Sequence, residues 1–192
     1  MKKVIITLAL IISAPVYAEG FASRVVQSSA TYMAARATTD AIDGATSKIS
    51  SSLKTQKTIE GEAVRILDGD TVDIMSEGKP VRVRFDSIDA PEKSQPFGQK
   101  AKETLSEWIA GQHVVVKVND TDMHGRLIGV VFLEGVNINR ALVEKGYAFA
   151  YRQYLKDETM IQLEQKAQSS HAGVWSLPES QIVKPWDYRK SH

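Results

Sequence analysis

The sequence predicts a mainly β, α+β fold: a five-stranded barrel of the OB type with about three helices. Three observations predict it. Apolar residues alternate with polar ones in short runs, turn signals separate those runs, and helical spacing interrupts them only between and after the strands. Five short strands with interspersed helices close most economically into a small twisted barrel, because closure leaves no bare sheet edge.

The strands come first. Val64 and Ile66 alternate with polar neighbours, as do Val72 and Ile74, and Val81, Val83 and Phe85 continue the period of two. "SEGKP", Ser76 to Pro80, is the turn between the second and third strands. Val114, Val116 and Val118 predict a fourth strand, and the apolar run Leu127 to Leu133 a fifth. The first helix is read from Phe97, Ala101, Leu105, Trp108 and Ile109, with Gly111 ending it. Asn137 is placed to cap a second helix carrying Ile138, Ala141 and Leu142, stopping near Gly146. A third runs from about Asp157 to Ser170, with Met160, Leu163 and Ala167 on one side and Gly173 beyond it, after which Trp175 folds back onto the core.

Around this barrel, residues 1–18 read as a signal peptide. Lys2 and Lys3 precede the apolar run Val4 to Ile12, and "SAPVYA" ends on the small residue Ala18. The run is shorter than the roughly 20 residues a spanning helix needs, and nothing later is longer. The expectation is an exported protein, periplasmic or secreted, with no stable membrane association after cleavage. Residues 19–58 form an Ala/Ser/Thr-rich segment, either a loose amphipathic helix or a flexible linker, to which no chemistry is assigned. The barrel domain spans 59–176, and 177–192 form a C-terminal tail.

Composition narrows the chemistry. Among 192 residues there is no cysteine, which excludes disulfides and thiolate zinc sites. Cleavage after Ala18 leaves 22 basic against 23 acidic residues, a net charge of −1. Any nucleic-acid binding is therefore local and not the work of bulk charge.

The unusual feature is acidic. "RILDGDTVDIM", Arg65 to Met75, carries three aspartates within one hairpin. A helix–loop–helix calcium loop counted from Asp68 would need Asp or Asn fifth, Gly sixth and Glu twelfth; Val72, Asp73 and Lys79 stand there instead. Asp68-Gly69 is accounted for by a tight turn, whereas Asp70 is not. "RFDSIDAPE", Arg84 to Glu92, adds Asp89 and Glu92 beside Pro91. Gathered carboxylates repel one another unless a cation neutralises them. Asp70, Asp89 and a turn carbonyl would supply half the oxygen shell of a hard divalent ion such as Ca²⁺. Arg84, on the strand face opposite Val83 and Phe85, and Arg126 in "DMHGR" each read alone as solvated arginines, but two guanidiniums near a metal site are the donors that a phosphodiester transition state requires. Arg84 and Asp89 are five apart, so the strand has to end or bend at Asp86-Ser87 for the two to share a face.

These residues resemble the staphylococcal nuclease (thermonuclease) family. The resemblance runs from about Ile59 to Trp175, through "DGDT" at 68–71, "RFDSIDAPE" at 84–92, "DMHGR" at 122–126, "NRALVEKGYA" at 139–148 and "GVWS" at 173–176. The tail "PWDYRK", Pro185 to Lys190, resembles an ending seen in bacterial secreted members. The resemblance implies an OB-type barrel with helices and Ca²⁺-dependent hydrolysis of DNA and RNA. It implies Asp70, Asp89 and the Ala90 carbonyl as calcium ligands, with alanine standing where the best-known member has threonine. Arg84 and Arg126 would contact the scissile phosphate, and Glu92 would orient or deprotonate the attacking water. His124 replaces a family tyrosine, and either Tyr151 or Tyr154 matches a tyrosine lining the nucleotide pocket. The loop "KSQPFGQ" after Glu92 is shorter than in that member and has fewer lysines. Two other readings remain: a non-catalytic nuclease-like OB-fold binding module, and a calcium-stabilised structural domain.

Overall fold

The computed structural model describes residues 57–192. The signal-peptide expectation, and all but the last residues of the 19–58 segment, lie outside the described residues.

Strand β1 (Thr58–Ile66) pairs antiparallel with both β2 (Thr71–Ser76) and β5 (His113–Thr121), and β2 pairs with β3 (Lys79–Phe85). β5 pairs antiparallel with β6 (Leu127–Leu133). The barrel closes where β3 meets β6 in parallel, with Val83, Arg84 and Phe85 opposite Leu127, Ile128 and Gly129. A short β7 (Val136–Asn137) pairs antiparallel with the end of β6, while β4 (Ile88–Asp89) and β8 (Phe149–Ala150) form a separate two-stranded sheet. The closed five-stranded, mainly β barrel is the OB architecture that the alternation predicts.

The interior is built as expected by Val72, Ile74, Val83, Phe85, Val114, Val116 and Val131, all buried. Each contributes about 1.5–3 kcal/mol by leaving water. One strand departs from simple alternation. The β1–β2 register shifts between Ala63 and Arg65, so Ala63 and Ile66 face inward and Val64 is exposed. The bulge inserts one extra residue and turns Val64, read as inward, to solvent.

Helix α1 (Gly98–Ile109) buries Ala101, Leu105 and Ile109 at four-residue spacing, and Gly111, at φ 72°, lies just beyond its end. The side chain of Asn137 accepts from the Arg140 amide at 3.0 Å and caps α2 (Ile138–Glu144). α3 (Thr159–Ser169) begins two residues later than predicted. Asp157 stays outside it and accepts from the Thr159 amide at 3.1 Å and hydroxyl at 2.6 Å. Trp175 packs edge-on against Phe149 at 5.1 Å.

The tail differs from expectation: residues Pro185–Ser191 form a fourth helix, α4. Seven residues are too few for an apolar period to register, and the helix is held by tertiary contacts. Proline at its first position has the required φ already set.

Two buried polar residues lock the elements that carry the site. Asn139 accepts from the Val131 amide at 3.0 Å and donates to the carbonyls of Asp86 (2.9 Å) and Gly129 (3.2 Å), tying the exit of β3 to β6. Glu164 on α3 accepts from the Ala150 amide at 2.9 Å, fixing β8 and, through it, β4 and Asp89. Leaving either set of buried partners unmet would cost about 1–3 kcal/mol per group.

Candidate active site

Three chain segments converge at one mouth of the barrel. The first is the β1–β2 turn. The Asp68 carboxylate accepts from the Asp70 amide at 3.0 Å, an Asx turn that aims the Asp70 side chain inward. Gly69 sits so close to its neighbours that a Cβ there would lie 2.6 Å from the Ala90 Cβ and 2.9 Å from that of Ala101. Only glycine lets the turn approach the second segment, residues 88–92.

That second segment depends on the bend required by the Arg84–Asp89 spacing. β3 ends at Phe85, and Ser87 takes φ 65°, a left-handed conformation that re-aims the chain. β4 then pairs with β8 and holds Asp89, so Arg84 and Asp89 meet despite their odd spacing. Gly98 closes the third side: a Cβ there would lie 1.8 Å from the Glu92 carbonyl, so α1 packs directly on the Glu92 turn.

The result is a cleft of about 780 Å³ lined by Asp70, Arg84, Asp89, Glu92, Arg126 and Arg189, among others. Arg84 is its centre. One guanidinium nitrogen lies 3.0 Å from Asp70 Oδ2, and the other donates to Asp89 Oδ1 at 2.7 Å. The nitrogen facing Asp70 also donates to the carbonyls of Phe85 (3.1 Å) and Ile88 (3.0 Å), which fixes the side chain. Asp70 Oδ2 accepts from the Ala90 amide at 2.6 Å, and the Thr71 hydroxyl donates to Oδ1 at 3.1 Å. Asp70, Asp89 and Ala90 are buried; Glu92 is half-buried at the rim.

Arg126 lines the same cleft but is engaged elsewhere, its Nε donating to Asp122 Oδ2 at 2.7 Å. The other Asp122 oxygen accepts the amides of His124 (2.9 Å) and Arg126 (3.0 Å), so the "DMHGR" turn presents Arg126 as a unit. Tyr151 and Tyr154 both line the cleft, with ring centroids 4.9 Å apart.

The second guanidinium on the acidic cluster is not Arg126 but Arg189, from α4. It donates to Asp89 Oδ2 at 2.7 Å and Oδ1 at 3.3 Å, and to Glu92 Oε1. The sequence offers a faint signal for it: Trp186 and Arg189 in "PWDYRK" are three apart and share a face if the segment is helical.

Electrostatics follow from burial. Burial pushes the Asp70 carboxyl up to about 7; Arg84 opposes this, and Asp68 and Asp89 add to it. Asp89 is also raised, chiefly by burial and against the pull of Arg189 and Arg84. For Asp122 burial acts upward but is outweighed by the Arg126 side chain and the turn amides, and the carboxyl lies below its usual range. Burial thus makes the ionised form of both carboxyls costly, and two arginines do not fully offset that cost. The site's donors, two carboxylates and the Ala90 carbonyl, are hard oxygens and fit a hard divalent cation. Among the described residues no group of three or more His, Cys, Asp or Glu is placed to hold a metal ion by itself. The remaining ligands would be water and substrate oxygens.

A closed OB barrel presenting buried carboxylates and guanidiniums in one cleft defines a class of phosphodiester-processing proteins. The family profile described as "Staphylococcal nuclease homologue" matches residues 82–177. Relatives include a protein named ParB from Escherichia coli, 41% identical over 143 positions, covering 69% of this chain and 80% of the relative. A micrococcal nuclease from Shigella flexneri is 39% identical, covering 68% of this chain and 80% of its own. An uncharacterized endonuclease from Haemophilus influenzae is 38% identical, covering 66% and 71%. The chain belongs to the staphylococcal nuclease family and is a nuclease that hydrolyses nucleic-acid phosphodiester bonds.

Proposed function

We propose that this nuclease is an exported, Ca²⁺-dependent endonuclease that cleaves DNA and RNA with low sequence specificity. The observation that carries the reading is the single Arg84 guanidinium spanning Asp70 and Asp89 inside the cleft. It gathers two buried carboxylates beside a donor of the planar kind that phosphate oxygens favour.

In this reading Asp70, Asp89 and the Ala90 carbonyl hold Ca²⁺. When bound, the cation supplies Lewis-acid and template chemistry at a phosphate oxygen. Glu92, half-exposed at the rim, takes the proton of the attacking water at its carboxylate, directly or through a second water. Arg84 donates to the phosphate oxygens on which charge accumulates. Arg126, which lines the same cleft, joins it while Asp122 holds its Nε. In-line attack expels the 5′-oxygen and leaves a 3′-phosphate. The proton for the leaving group comes from water or from Arg126. No element is shaped to enter a groove and read base edges, which favours low specificity. Tyr151 and Tyr154 offer stacking faces that accept any base.

Plasmid DNA and RNA incubated with purified protein should be degraded with Ca²⁺ and left intact with EDTA, and end-group analysis should find 3′-phosphates. Intact plasmid at saturating Ca²⁺ would favour the non-catalytic binding module. Export rests on the basic-apolar-small pattern of residues 1–18, and among the described residues no helix is long and apolar enough to cross a membrane. Mass spectrometry of the exported product should give a chain beginning at Glu19; a chain retaining Met1 in the membrane fraction would refute cleavage.

A further inference from the structure

Arg189 sits on two of the groups that the proposed chemistry needs free. Asp89 would bind the cation and Glu92 would take the proton, and one guanidinium pairs with both. Asp89 is almost fully buried, and each of its oxygens already receives a guanidinium at 2.7 Å, Arg84 on Oδ1 and Arg189 on Oδ2. A Ca²⁺ ion has to approach a carboxylate oxygen to about 2.3–2.6 Å. Beside a guanidinium nitrogen already at hydrogen-bond distance, that places like charges together in a half-buried site, where repulsion is weakly screened. Arg84 cannot give way, because Asp70 and two backbone carbonyls also hold it. Arg189 can: its side chain is 43% exposed, and its hydrogen bonds go to these two carboxylates.

The helix that carries Arg189 is also held by contacts outside the carboxylates, so the Arg189 pairs are part of its docking and not the whole of it. The buried side chain of Gln95 accepts from the Glu92 amide at 3.0 Å and donates through Nε2 to the Val183 carbonyl, coupling the Glu92 turn to the approach of α4. Pro185 is buried. Trp186 lies flat on Tyr151, with centroids 5.1 Å apart and 7° between planes, and edge-on to Phe149 at 6.2 Å. Phe149 is the β8 residue paired with Asp89, so the aromatic anchor rests on the strand that registers the carboxylate. The Tyr188 hydroxyl reaches Ser94 Oγ at 3.2 Å. This anchoring gives Arg189 a high effective concentration at Asp89 and Glu92. The guanidinium can still leave by rotation of its own side chain.

We propose that α4 is a tethered competitor of the divalent cation: Arg189 occupies Asp89 and Glu92 in the cation-free protein, and cation loading and the Arg189–Asp89 pair exclude each other. The proposal rests on the cation reading above. Coupling of this kind is reciprocal: Arg189 weakens cation binding by the same factor by which the cation weakens Arg189 docking.

The test is calorimetric Ca²⁺ binding to the EDTA-stripped full chain, with Arg189→Gln and Trp186→Ala beside the unsubstituted protein. Arg189→Gln should bind Ca²⁺ more tightly, on the order of 10-fold. Trp186→Ala, which loosens the anchor without touching a carboxylate, should shift affinity in the same direction by less. Arg189→Lys, which keeps the charge but loses the two-pronged fork, should fall between. In the unsubstituted protein, added Ca²⁺ should speed hydrogen exchange of the α4 amides, and Asp70→Asn should abolish that response. Equal or weaker affinity in Arg189→Gln overturns the competitor while leaving the cation site standing. No Ca²⁺ binding by any variant overturns the cation reading and the competitor together.

Discussion

Arg84→Ala is expected to lower the rate of phosphodiester hydrolysis on the order of 10²–10³-fold at saturating Ca²⁺. The residue does two jobs from one position. Its guanidinium spans Asp70 and Asp89, and it faces the cleft in which the phosphate is to be held. Removing it leaves two buried carboxylates with less opposing charge, so the cation-free protein should also lose about 3 kcal/mol of stability near neutral pH. Added Ca²⁺ should restore much of that loss, because a dication neutralises the same carboxylates. The two effects therefore separate by measurement. Urea unfolding in EDTA reads the charge imbalance, and initial rates at saturating Ca²⁺ read the missing phosphate donor. Arg84→Lys should recover part of the stability and little of the rate, since a point charge cannot reach two carboxylates and a phosphate as a planar fork does. Full activity in purified Arg84→Ala would end the assignment of Arg84 to the phosphate.

The barrel was legible because its strands face a core on one side. Val114, Val116 and Val118 are buried, as their spacing demands. Val64 misled because a bulge adds one residue to the period, and no local pattern marks it. The Arg84–Asp89 spacing was informative as a contradiction: two groups of one site on opposite strand faces demand a bend. The chain supplies that bend at Ser87, with a left-handed φ of 65°. The convergence of Asp70, Arg84 and Asp89 could be argued from charge alone, since two carboxylates brought together need a common positive partner. Arg189 could not. It meets Asp89 across 100 residues of sequence, from a helix of seven residues with no apolar stripe. Gln95, which joins the Glu92 turn to the tail, is likewise an ordinary loop residue until the fold buries it.

Cation-free protein should lose stability as pH rises from about 4 to about 7, the reverse of the usual behaviour of a paired carboxylate. Asp70 is the cause, its carboxyl pushed up to about 7 from an ordinary value of 3.8, first by burial. Between those values the native state binds more protons than the unfolded chain, so stability falls with rising pH across the window and levels off above it. The shift corresponds to on the order of 4 kcal/mol at about 1.4 kcal/mol per pH unit. Asp89 is raised as well and adds to the slope. Asp73 is held below its ordinary range by Arg82 and Arg65, so its contribution is present above about 3.8 and lost only as pH falls further. The two windows do not overlap, and the EDTA-treated protein should be most stable near their boundary. Ca²⁺ takes the ionised carboxylates, so its stabilisation should grow with pH and be largest above 7. Asp70→Asn removes the larger titrating group and leaves Asp89, so its unfolding midpoint in EDTA should fall clearly less steeply from pH 5 to 8 than the parent's, with little response to Ca²⁺. Urea midpoints across that range decide the matter: an unsubstituted protein that gains stability with pH in EDTA, or an Asp70→Asn variant that keeps the parental slope, would show that the buried charge of Asp70 is not what cation binding relieves.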